Sequence, residues 1–291
     1  MYYAKKNGGA NYYFYSNEMD KDFKQKIEIE TSLRKGIIKN EFINYYQPII
    51  SLTEKKIVKV EALVRWNNPL HGMIQPDNFI PLSEKMGVIH QIGEEVLKKA
   101  GADAKIWEAK GYAAFSISVN LSPVQLHHEN FVPSLLNILK EIDLNPKRLN
   151  LEITETAIIH DLKNTIAVLK EIHKHGINLH IDDFGTGNTS IAYLSQFPVN
   201  VLKIDQSFIR ELPHNKNKRI ITHALIKLAH NLNLKVIAEG VENIDQLKYL
   251  MSVGCDYAQG FYFSKPLPAD EIPAKLSEDL LKIFPDIVFT I

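Results

Sequence analysis

A few polar side chains recur along this chain where short apolar runs end. Glu61 lies within "IVKVEALVRW", Asn120 follows "FSISV", and Glu152 sits in "RLNLEITE". Asp182 and Asp183 follow "INLHI", Glu239 follows "LKVIA", Gln259 follows "CDYA", and Lys203 ends "VNVLKID". Carboxylates, amides and one lysine gathered at a single mouth make a hard-cation site with a basic group beside it. The lysine ammonium could orient or deprotonate an attacking water there, or neutralise phosphate charge. Arg65 suits bidentate contact with a phosphate.

The elements that must position these groups are legible from periodicity. Apolar runs of this length, alternating with helical patterns, read as buried parallel strands. Strands are expected near Ala114–Asn120, Leu149–Ile153, Asn178–Asp182, Val199–Ile204, Lys235–Ala238 and Cys255–Gln259. Helices are expected near Pro76–Lys85, Ile89–Lys110, Phe131–Ile142, Leu162–His175, Ser190–Ser195, Lys216–Asn231 and Ile244–Ser252. "EFINYYQPII" and "KKIVKVEALVRW" precede them, joined by a short polar turn. A parallel crossover needs a dozen or more residues, so these two strands are antiparallel. The expected fold class is therefore α/β: a modified (β/α)8 TIM-type barrel with an antiparallel first strand. A doubly wound open sheet would favour a glycine-rich phosphate turn after its first strand, and there is none.

Strand alternation puts Lys59, Glu61, Leu63 and Arg65 on one face and Val58, Val60, Ala62 and Val64 on the other. The apolar face must pack under helices, so the charged face points into the barrel. Buried charges are costly unless paired or bound to metal. Internal ion pairs would explain Glu61 alone, but not the whole set. Asp182 and Asp183 are neighbours, and neighbours on a strand point to opposite faces. Both reach one site only where the chain turns, and "DDFGTG" supplies a turn, with Gly185 and Gly187 free to adopt positive φ. Two divalent cations about 3.5–4 Å apart, bridged by a carboxylate, would relieve their repulsion and suit phosphodiester cleavage.

Histidines are numerous but poorly placed for a metal. His127, His128, His173 and His175 read as solvated, His160-Asp161 as a helix start, and His180 as a hydrogen-bonded core residue. Acidic and basic residues balance at 34 each, so bulk charge points to neither a nucleic-acid polymer nor a membrane surface. Lone Cys255 excludes an internal disulfide and fits a reducing, cytoplasmic compartment. No apolar stretch approaches the roughly 20 residues of a membrane helix, so no membrane contact is expected of this piece, although a longer parent could be membrane-anchored.

From Asn40 to Leu267 the chain resembles the EAL family of cyclic-di-GMP phosphodiesterases. The resemblance rests on "YQPI" at Tyr46–Ile49, "EALVRW" at Glu61–Trp66, "SVNLS" at Ser118–Ser122 and "LEITE" at Leu151–Glu155. It continues through "DDFGTG" at Asp182–Gly187, "KID" at Lys203–Asp205, "EGVE" at Glu239–Glu242 and "QGFYFSKP" from Gln259. It implies hydrolysis of cyclic di-GMP to linear pGpG with Mg²⁺ or Mn²⁺, two ions per active site. By position, Glu61, Asn120, Glu152 and Asp182 would hold one ion; Asp182 would bridge to the second, served by Asp183 and Glu239. Lys203 would position the attacking water, and Gln259 would support the second ion's waters. Gln47, Leu63, Arg65, Glu242 and Gln259 would contact substrate, and Glu155 would brace the loop after the Asp pair. A catalytically silent cyclic-di-GMP receptor is the alternative, but such receptors lack metal ligands and none is missing here. The family also implies a homodimer through helices beginning near Asn188 and Asn215, with Asn188 replacing the family's usual aromatic residue.

The remaining segments complete the expected organisation. Residues 1–17 resemble the end of a GGDEF domain, which would make the parent a tandem GGDEF–EAL protein. Residues 18–40 read as a linker helix with Met19, Phe23 and Ile27 on one stripe. Residues 41–291 are the expected barrel.

Overall fold

The computed structural model describes residues 17–112, 115–159, 161–187, 194–278 and 280–284. The segment expected to be a GGDEF remnant, Asn188 and most of the expected Ser190–Ser195 helix lie outside these residues, as do the side chains of Met19, Phe23 and Ile27. The described residues open with α1 (Asn17–Ile38), then β1 (Phe42–Ser51), β2 (Lys56–Asn68) and β3 (Gly72–Ile74). Helices α2 (Pro76–Lys85) and α3 (Ile89–Ala109) lead to β4 (Ser116–Asn120). Then come α4 (Pro123–Leu126), α5 (Phe131–Glu141), β5 (Leu149–Thr154), α6 (Glu155–Ile159), α7 (Leu162–Lys174) and β6 (Asn178–Phe184). The second half runs β7 (Val201–Ile204), α8 (Gln206–Ile209), α9 (Lys216–Asn231), β8 (Lys235–Ala238), α10 (Ile244–Ser252) and β9 (Tyr257–Ala258). Short β10 (Leu267–Pro268) and α11 (Ile272–Leu276) follow.

Eight of these strands close a barrel in the order β1-β9-β8-β7-β6-β5-β4-β2, with β2 returning to β1. β1 is antiparallel to both of its barrel neighbours, β2 and β9. The remaining barrel pairings are parallel. The α/β barrel with an antiparallel first strand is therefore the observed fold. Two pairings lacked a sequence signal: β3 extends β2, and β10 caps β1. Both are too short to carry a periodicity.

Alternation along each strand sorts side chains between the interior and the helical shell. Val60 and Ala62 are buried toward the shell, as the pattern of β2 requires. Trp66 stacks on Phe42 at 5.4 Å and meets Phe79 edge-on at 5.9 Å, joining β1 and β2 to α2. Ile29 and Leu33 are buried in the same core, so the second half of α1 packs on the barrel. A Cβ on Gly36 would stand 2.8 Å from the Trp66 indole nitrogen, so the close approach of α1 there needs glycine. That indole donates to Glu41 at 2.9 Å.

Candidate active site

The strand ends bring the expected groups to one mouth. Glu61, Asn120, Asp182, Asp183, Lys203, Glu239 and Gln259 line a cleft of about 650 Å³, with Gln47, Leu63, Arg65 and Glu242 on its walls. Glu152 lies just beneath, buried, and reaches the cluster through Lys203.

Lys203 is the hub. Its side chain is 1 % exposed, and its Nζ lies 2.9 Å from Asp182, 2.8 Å from Glu239 and 3.6 Å from Glu61. It also donates to Glu152 Oε2. Burial pulls its pKa down, but Asp182, Glu152, Glu239 and Glu61 together raise it well above the ordinary lysine value. An ammonium held charged in this way orients a water more readily than it abstracts a proton from one.

Two amides complete the setting of Glu61. Asn120 Nδ2 donates to its Oε1 at 2.8 Å, and Gln259 Nε2 donates to its Oε2 at 2.7 Å. Gln259 Nε2 also reaches Gln47 Oε1 at 2.9 Å, while Gln47 Nε2 donates to the Ser264 carbonyl at 3.0 Å. Gln47 is thus tied into the wall. Burial raises Glu61 to about 7, against the pull of Lys203. Glu239 is raised well above the carboxylate range, again by burial first.

The Asp pair reaches the mouth by a device the sequence reading placed differently. β6 does not end at Asp182 but continues to Phe184. Ile181 pairs with Leu202 and Phe184 with Ile204, so two residues oppose Lys203 alone. This is a β-bulge, and Asp183 takes φ 53° within it. Asp183 is raised to about 6, by burial and then by Asp182 and Asp205. Gly185 does adopt positive φ, at 96°. Gly187 does not; it is required instead for close approach, since a Cβ there would lie 2.6 Å from Glu155 Oε1. Glu155 Oε2 accepts the Gly185 and Gly187 amides at 2.9 and 3.4 Å, which ties the start of α6 to the loop after the Asp pair.

The carboxylate oxygens of Asp182, Asp183 and Glu239 lie within 4.8 Å of one another. Four carboxylates, those of Glu61, Glu152, Asp182 and Glu239, share the ammonium of Lys203, and Asp183 lies beside them. This excess of hard, negative oxygen fits divalent cations.

Arg65 donates to the Val64 carbonyl at 2.8 Å, and its guanidinium lies 5.8 Å from the Tyr45 ring, at the rim. Glu242 is exposed there. His160 lies outside the described residues, and among those described no histidine lines the mouth. His128, His173 and His175 are exposed or at the surface, but His127 is half-buried, with Nδ1 2.8 Å from the Pro123 carbonyl and Nε2 3.1 Å from Thr165 Oγ1. Asp161 caps α7, as expected of a helix start. His180 is a hydrogen-bonded core residue, as expected; its partner, Glu152, was not foreseen. Two further groups at the mouth lie inside the quoted motifs but were assigned no role: Asp205, which caps α8, and exposed Phe261.

The closed barrel holds its acidic cluster at the carboxyl ends of its strands, where barrel enzymes carry their active sites. The family model described as the EAL domain matches residues 30–266, and the chain belongs to this family. It is 38% identical over 277 residues to the bifunctional diguanylate cyclase/cyclic di-GMP phosphodiesterase MucR of Pseudomonas aeruginosa, over 95% of this chain and 40% of that protein. It is 36% identical over 268 residues to the cyclic di-GMP phosphodiesterase NbdA of the same organism, over 92% of this chain and 34% of that protein. The chain thus spans well under half the length of these curated relatives. The MucR phosphodiesterase in complex with c-di-GMP superposes with a TM-score of 0.80 at 39% identity, over 84% of this chain and 99% of that one. Among the described residues, no helix is long and apolar enough to cross a membrane.

Proposed function

We propose that this chain is a metal-dependent phosphodiesterase that hydrolyses cyclic di-GMP to linear pGpG. The observation that carries the reading is the cluster of four carboxylates around buried Lys203, with Asp183 beside it, at the mouth of an EAL-family barrel. Mg²⁺ or Mn²⁺, two per site, would be held by Glu61, Asn120, Glu152 and Asp182 on one side and by Asp182, Asp183 and Glu239 on the other. Bound there, the ions would neutralise phosphate charge and lower the pKa of water.

The chain's own groups supply the rest. Lys203 keeps its N–H groups aimed at the centre of the cluster and orients the nucleophilic water. Gln259 and Asn120 hold Glu61 in place. Arg65, Leu63, Gln47 and Glu242 line the path of the dinucleotide, with Arg65 facing phosphate. Glu155 fixes the loop that follows Asp183. Binding without turnover has no missing ligand to support it.

The test is direct. The purified chain with cyclic di-GMP and Mg²⁺ should yield pGpG by chromatography, and Glu61→Ala should abolish turnover. Near-normal hydrolysis by that variant would sink the metal assignment.

The homodimer and the tandem parent remain part of this proposal. Ile220 and Ile221 stand exposed on α9, whose N-cap is Asn215, and an isologous interface would bury the same patch on both subunits. Light scattering that showed a fully active monomer at tens of micromolar would count against it. A GGDEF domain before residue 18 and a cytoplasmic location complete the picture. Deleting residues 1–17 should leave activity essentially unchanged.

A further inference from the structure

Beneath the acidic cluster, Glu152 is held from two sides. Lys203 donates to its Oε2, and His180 Nδ1 lies 3.1 Å from its Oε1. Both side chains of the His180–Glu152 pair are fully buried. Lys203 is shared with three other carboxylates, so it cannot by itself fix the rotation of Glu152. His180 has no second carboxylate at hydrogen-bond distance among the described residues. A column of donors continues below: Asn178 donates to Asn150 at 3.2 Å, and Asn150 donates to the Ser118 hydroxyl at 3.2 Å. The Ser118 hydroxyl in turn bonds Glu152 and, like Lys203, opposes the upward shift that burial gives its pKa.

From this geometry we infer that His180 is a positioning residue: it donates through Nδ1–H to Glu152 and turns the carboxylate so that its other oxygen faces the mouth. The inference rests on the reading of Glu152 as a ligand of a divalent cation. As a cation ligand Glu152 is ionised, and an ionised carboxylate only accepts, so the proton must sit on Nδ1. Nε2 is buried with no hydrogen-bond partner among the described residues, which suits a neutral ring. Groups that orient a ligating side chain in this way typically change metal affinity about 10–100-fold when removed.

The experiment uses three variants and no substrate. Asn places an amide N–H where Nδ1 stands, Leu fills the space without a donor, and Gln carries its amide one atom further out. Mn²⁺ binding to each is measured by calorimetry, and the ring tautomer of His180 by ¹⁵N NMR. The expected result is an affinity about 10-fold weaker for His180→Leu, with His180→Asn close to wild type. Wild type should show the Nδ1–H tautomer. Equal Mn²⁺ affinity in wild type and His180→Leu would overturn the inference, and so would an Nε2–H tautomer. If His180→Leu fails to fold, His180→Asn against His180→Gln carries the comparison, and equal affinities there would overturn it too. A wild-type chain that binds no Mn²⁺ would instead refute the metal reading, leaving the tautomer to decide the role of His180.

Discussion

The interior of this barrel has two unlike halves. On the arc β2-β4-β5-β6 the inward groups are polar from the mouth downward: Glu61, Ser118, Asn150, Glu152 and His180, all buried. On the arc β1-β9-β8-β7 polar groups stand only at the mouth. Beneath Gln47, Lys203, Glu239 and Gln259 lies an apolar wedge of Ile49, Val201 and Ile237, packed against Tyr257. Lys203 rises from the apolar half and reaches across to Glu61 and Glu152. The apolar wedge offers its ammonium no partner on its own side, so its ion pairs all run to the carboxylates. The polar half does the opposite work. It supplies donors that hydrogen-bond the buried carboxylates and fix their orientation, which an apolar wall cannot do.

The two halves should therefore fail in different ways. The largest effect is expected where they meet. Lys203→Ala should lower kcat by about 10²–10³-fold, as loss of a preorganised donor does, while substrate binding survives in part. A change confined to KM would show that Lys203 only binds phosphate.

The apolar half should answer in stability. Ile49→Ala removes buried methyl groups from the wedge and should cost about 2–5 kcal/mol in urea unfolding. Turnover per folded molecule should stay close to wild type. A large loss of kcat with an unchanged unfolding midpoint would mean that the wedge also tunes the chemistry.

At the edge of the polar half, Glu155→Ala would leave the Gly185 and Gly187 amides without their carboxylate. A local cost of about 1–3 kcal/mol is expected, seen as faster amide exchange at these two residues together with reduced turnover. Unchanged exchange there would remove Glu155 from the loop's support.

The smallest effect should come from the shell outside both halves. Cys255 is buried, and burial pushes its thiol up to about 12. A raised thiol pKa means less thiolate, roughly one part in ten thousand at pH 8. Native protein should therefore resist a disulfide reagent at that pH and react only on unfolding. Rapid native labelling would show that the shell opens far more readily than either half of the interior.

The polar groups that meet at the mouth could be listed before any fold was known, because they lie within or just after local apolar runs. The order of elements, the antiparallel start and the inward face of β2 follow from the same short-range periodicity. Several features were not legible. Asp182 and Asp183 face one mouth because β6 bulges against β7, and a bulge depends on the register of two strands about 20 residues apart. Gly187 looked like a turn residue, but it yields space to Glu155, which is distant in the chain. His180 carried no motif and acquires its partner only when β5 and β6 pair. Likewise, the sharing of one lysine among four carboxylates exists only once the barrel has closed. The sequence by itself determined which chemical groups are present and which strand presents each of them. The tertiary structure alone decided which groups touch, because ring closure and strand register are set by contacts between residues far apart in the chain.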